Sequence, residues 1–189
     1  MRCVRWLAVI AVFGVVAVSS PARAEPATSN SLQLGLGFRY GAEMNEGDLN
    51  PWGTGLGLNV GYTMSNAIYL GGNGEYFFGG SATLPGLVPN EVTSNLWQLS
   101  AEGGYDIGLG KSIVIRPKLG VGLASTKVEL CPQGLPCSED SASDFLLAPG
   151  GTFILLTRSF SLSFDVRYAL VFADAETAKA LIFSAGIGF

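Results

Sequence analysis

Residues 160–172 read FSLSFDVRYALVF, and their parity is strict. Phe160, Leu162, Phe164, Val166, Tyr168, Leu170 and Phe172 fall on one side, while Ser161, Ser163, Asp165, Arg167 and Ala169 fall on the other. Period-two alternation of this kind is a β-strand with one apolar and one polar face. The pattern recurs over residues 31–42, 52–64, 67–79, 96–108, 112–128, 145–157 and 178–189. It is weakest over 145–157, and the prolines Pro117 and Pro149 interrupt two segments. Proline cannot donate to a strand ladder, so each predicts a bulge or a local break. Eight strands of about 12 residues result, enough for the roughly 9–11 that a tilted membrane-crossing strand needs.

The polar sides hold nearly all the strand charges. Arg39, Arg116, Lys118 and Arg167 share the inward parity with Glu75, Glu102, Asp106 and Asp165. No charge falls in the middle of an apolar face, where Arg or Lys would cost roughly 2–4 kcal/mol against lipid. The apolar faces therefore read as lipid-facing and the polar faces as lumen-facing. Connections alternate between long loops and short turns such as Ser65-Asn66 and Leu109-Gly110-Lys111, as short periplasmic turns and longer outer loops do. The predicted fold is all-β: an eight-stranded antiparallel up-and-down transmembrane β-barrel. Tyr40, Trp52, Phe78, Trp97, Phe145 and Phe172 are expected at the outer rim and Tyr62, Tyr105, Phe160 and Phe189 at the periplasmic rim.

The amino terminus departs from this pattern. Arg2 and Arg5 precede an apolar run over 6–18, and Ala22-Arg23-Ala24 follows. A basic start, a short apolar middle and a small-x-small end predict a cleaved secretory leader over 1–24, leaving a barrel domain over 25–189. A membrane anchor is the rival reading, but the run is shorter than the roughly 20 residues of a spanning helix. Three of the 11 basic residues lie in the leader, so 8 remain against 15 acidic ones, a net charge of about −7. That balance argues against a nucleic-acid partner. Beyond the leader, Cys131 and Cys137 bracket PQGLP and suit a small disulfide loop in an oxidising compartment. With no histidine in the chain, a zinc site on these two thiols falls short of the usual ligand set.

Chemistry beyond this is sparse. Without histidine, Ser-His and Cys-His catalysis is excluded, and no cofactor motif is present. The lumen charges have two readings, a structural salt-bridge network and the lining of an ion path. Glu102 is expected opposite Arg116 or Lys118. The interior of eight strands is just wide enough for side chains to fill, which favours the network, while inward glycines in the first two strands leave room for a path. The outer loops are acidic, with Glu43, Glu46, Asp48, Glu91, Glu129, Glu139, Asp140, Asp144, Asp174 and Glu176. They read as a solvated, repulsive surface or as a divalent-cation or partner contact.

The leader ending Ala22-Arg23-Ala24, the segment Arg116-Pro-Lys-Leu-Gly-Val-Gly122 and the terminus Gly186-Ile-Gly-Phe189 carry a resemblance. The chain resembles the small eight-stranded outer-membrane barrels, the group of OmpA-type membrane domains, OmpX-type, OmpW-type and opacity-type proteins. The resemblance implies a monomer among outer-membrane lipids, with Phe189 part of the signal read by the barrel assembly machinery. It implies no cofactor and no enzymatic activity; the histidine of lipid A-modifying barrels is lacking. The expected role is envelope integrity or surface contact through the acidic loops, with a small porin as the alternative.

Overall fold

The computed structural model describes residues 31–44, 50–84, 90–132, 137–173 and 176–189. Its strands are β1 (Ser31–Glu43), β2 (Gly53–Thr63), β3 (Ile68–Phe77), β4 (Ser81–Leu84), β5 (Asn90–Tyr105), β6 (Ile107–Gly108), β7 (Ile113–Pro132), β8 (Ser138–Leu156), β9 (Ser161–Phe172) and β10 (Thr177–Gly188). Every pairing is antiparallel. β4 prolongs β3 alongside β5, past Gly79 at φ +57°. β6 prolongs β5 alongside β7, past Asp106. The ten strands thus make eight staves, and pairing of β1 with both β2 and β10 closes the ring.

Polarity is inside out. Leu36 and Phe38 on the outer wall are 62% and 74% exposed, whereas Arg167 in the lumen is 2% exposed. The period-two pattern dictates this, because a closed sheet has one wall for each parity. One end carries tight turns. Met64 N–H donates to the Ile68 carbonyl at 2.8 Å, Leu109 N–H to Ile113 at 2.8 Å and Thr157 N–H to Phe160 at 2.9 Å. Ser31 and Phe189 lie at this end too, where Phe189 and Leu34 exchange both backbone hydrogen bonds.

The other end is uneven, and here the structure corrects the sequence expectations. Segments expected as loops continue as strand: β5 begins at Asn90, and β7 and β8 run to Pro132 and from Ser138. Their ladder reaches Leu130↔Ser138, while β8 meets β9 only from Phe145↔Phe172. The β7–β8 hairpin therefore stands above its neighbour. Alternation fades there because both faces meet water, and Ser138 through Ser143 are all exposed. Pro117 and Pro149 mark breaks rather than bulges. Pro149 sits in a gap of the β8–β9 ladder, Pro117 beside the β5–β6 gap, and the register is the same on either side of both.

Trp52 is a second correction. Strand parity assigns it to the outer rim, but it is 1% exposed, inside the barrel. Gly53 explains the reversal: its φ of +50° is a left-handed conformation that breaks alternation and turns the indole inward.

Candidate functional site

The eight charged lumen residues come from five staves, and the structure resolves them into two groups. In the larger, Lys118 Nζ lies 3.0 Å from Glu102 and 2.9 Å from Asp165. Arg167 Nε lies 2.7 Å from Asp165, and its Nη1 lies 3.6 Å from Glu102. These four residues close a ring of alternating charge. Glu75 extends it, accepting from Arg167 Nη2 and from Arg39 Nε at 2.5 Å on the same oxygen. In the smaller group Arg116 grips Asp106 through Nε at 2.5 Å and Nη2 at 2.9 Å. Glu102 thus pairs with Lys118 rather than Arg116, because Arg116 is engaged by Asp106.

Neutral residues complete the shell. Thr63 Oγ1 donates to Asp106 at 3.0 Å and Thr152 Oγ1 to Asp165 at 2.8 Å. Gln33 Oε1 accepts from Arg116 at 2.9 Å. The Arg116 guanidinium lies 3.7 Å from the centroid of the Tyr69 ring, within cation–π range. Thr63 and Thr152 escaped sequence reasoning; their inward parity was the available signal. Four cations balance four anions, and all but the part-buried Lys118 are buried among partners, as desolvated charges require.

Several inward glycines are footprints of larger side chains. A Cβ at Gly57 would lie 2.7 Å from the Arg39 guanidinium carbon, and one at Gly55 would lie 2.9 Å from the Phe77 ring. Gly41 accommodates Trp52, and Gly61 accommodates Tyr69. Bare backbone lets long side chains from neighbouring staves lie flat across the lumen.

Towards the end opposite the tight turns, termed outer by the usual turn lengths of such barrels, the lumen turns apolar. Trp52, Phe77, Leu96, Leu146, Val171 and Ile182 form one buried cluster with several alanines. Towards the end with the tight turns, termed periplasmic, a cavity of about 50 Å³ remains, lined by Gln33, Ser161, Ser163, Ser184 and Gly188, and reaching Arg39, Asn73 and Arg167. Small side chains on β9 and β10 leave this space.

On the β7–β8 hairpin, Cys131 and Cys137 form a disulfide, and Lys127 pairs with Glu139 at 2.9 Å. Glu129 adjoins the two sulfurs, but a disulfide offers no thiolate to a metal. Glu43, Asp140, Asp144 and Glu176 occupy the same end of the barrel. Glu46, Asp48 and Asp174 lie outside the described residues, as does the Glu91 side chain.

The family model of the outer membrane protein β-barrel domain matches residues 8–189. The chain belongs to that family. Among curated proteins none matches the sequence. Solved outer-membrane barrels share the fold. The attachment invasion locus protein Ail of Yersinia pestis, solved with the heparin analogue sucrose octasulfate, superposes with a TM-score of 0.60 at 13% identity, over 85% of this chain and 97% of Ail. Neisserial surface protein A superposes with a TM-score of 0.54 at 15% identity, over 83% and 94%. Family and fold together establish an eight-stranded transmembrane barrel of the bacterial outer-membrane class, its apolar outer wall the lipid-facing one.

Proposed function

We propose that this family member is a non-enzymatic, monomeric outer-membrane protein that anchors an acidic β-hairpin for contact with cationic partners. A leader over 1–24 would direct export, and Phe189 would present the terminal aromatic to the assembly machinery. The observation that carries the reading is the β7–β8 hairpin. It rises above β9, is fastened at its tip by Cys131–Cys137 and bears Glu129, Glu139, Asp140 and Asp144. Ail was solved with a polyanion bound. The carboxylates here disfavour such a ligand and favour a positively charged one, in a salt-dependent way. Intact cells displaying the chain should bind polylysine-coated surfaces more than heparin-coated ones. A Glu139→Lys/Asp140→Lys/Asp144→Lys variant should reverse the preference. Equal binding by both chains would overturn the reading.

A second reading, a pore for ions or small solutes, is favoured by one observation. The cavity beside the ion pairs shows that packing of the lumen is incomplete. Discrete conductance steps from refolded protein in a planar bilayer would support it.

A further inference from the structure

On stave after stave, polarity along the lumen changes in the same direction. Towards the outer end, Glu75 gives way to Phe77 on β3, Thr152 to Ala148 and Leu146 on β8, Arg167 to Ala169 and Val171 on β9, and Ser184 to Ile182 on β10. The polar half offers water both room and unbonded polar atoms. Its cavity runs from the periplasmic end up to Arg39 and Asn73. Next to it, Gln98 is 2% exposed with neither amide atom bonded, and Glu75 Oε2 and Asn73 Oδ1 also lack partners. Gln98 lies directly across from Glu75 in the β3–β5 ladder. Buried polar atoms of this kind ordinarily hold ordered water. Immediately outward of Glu75 and Gln98 come Phe77 and Leu96, at 0% and 1% exposure.

Trp52 is unlike the rest of the apolar layer. It precedes β2 and makes none of that strand's ladder pairs. It rests on the bare backbone of Gly41. Asn50 positions it, donating from Nδ2 to the Gly41 carbonyl at 3.1 Å and accepting the Trp52 N–H at 3.0 Å. The indole Nε1 has no partner, so apolar contact alone holds the ring, and leaving the lumen would hydrate that N–H.

We infer that the ion barrier of this barrel is the apolar layer corked by Trp52, with a hydrated vestibule on its periplasmic side. The ion pairs brace the wall below, and water passes beside them. An ion crossing the layer must shed its hydration with nothing to replace it. Without the indole, the vestibule joins the outer solution. The inference is independent of the hairpin's role, so a failed surface-binding assay leaves it standing.

Planar-bilayer recording of the refolded barrel tests it. The unaltered chain should be silent. Trp52→Ala should give discrete steps, with open probability higher by roughly tenfold or more, and Trp52→Phe should restore silence. Glu102→Gln should stay silent despite its weakened ring. Gly41→Ala is the companion variant: a Cβ there would lie 2.9 Å from Trp52 Cγ and displace the ring without deleting it. It should conduct like Trp52→Ala. Heat-modifiable gel migration and an intact disulfide verify folding. Silence from both folded Trp52→Ala and Gly41→Ala would overturn the inference. So would conduction by the unaltered chain at the level of Trp52→Ala, or opening by Glu102→Gln alone.

Discussion

The two halves of the lumen solve one packing problem with different forces. The periplasmic half is braced by directional contacts, with Arg167 itself touching Glu75, Asp165 and Glu102. The outer half is filled by Phe77, Leu96, Leu146 and Ile182, which need only shape. Apolar packing excludes water and tolerates small changes of volume. Ion pairing fixes which staves face each other, but leaves charges stranded if one partner is lost. Sealing and bracing therefore need not reside in the same residues.

The largest effect is expected from Arg167→Met. It removes the hub and leaves Glu75, Asp165 and Glu102 short of one cation. Unfolding of the refolded barrel in urea should show a loss of about 3–5 kcal/mol, the cost of breaking a buried pair. A smaller loss is expected for Glu102→Gln, about 1–3 kcal/mol, because Lys118 keeps Asp165 at 2.9 Å. If the two losses were equal, Arg167 would be no hub. Ile182→Val probes the apolar half and should cost only about 0.5–1.5 kcal/mol. A larger loss from Ile182 than from Arg167 would reverse the comparison.

The sequence made the barrel wall legible and its filling only partly so. Parity placed Arg39, Glu75, Asp165 and Arg167 inward because the bilayer imposes one rule on every stave. It could not say whether Glu102 meets Arg116 or Lys118, since both share its face and lie two residues apart. That choice depends on Asp106, whose hold on Arg116 follows from register and not from composition. Inward glycines suggested space because parity says nothing about neighbouring side chains, and those of Arg39, Trp52, Phe77 and Tyr69 occupy it. Residues 145–157 alternate poorly for a related reason. Leu146, Ala148 and Ile154 are apolar though they face the lumen. Trp52 was misplaced because one left-handed residue, Gly53, reverses parity without leaving a trace in hydropathy. Above the bilayer the rule lapses, so the strand extensions over 90–95 and 138–144 were hidden.

The smallest expected effect lies on those extensions. Lys127 and Glu139 form an ion pair at 2.9 Å with both side chains about half exposed. The hydrogen bond that Lys127 donates to Glu139 holds its ammonium above the ordinary value of 10.5. A raised lysine value means that the pair helps the hairpin below the unfolded value and ceases to help as pH rises through the folded one. At neutral pH and low salt, Lys127→Met should therefore speed amide hydrogen exchange along the upper β7–β8 ladder. The barrel's urea midpoint should not move, because no lumen contact changes. Added salt should erase the difference, since exposed pairs are screened over about 10 Å at 0.1 M. A shift in the barrel midpoint would show that hairpin and barrel unfold as one unit, so that the outer extension is continuous with the wall in energy as well as in register.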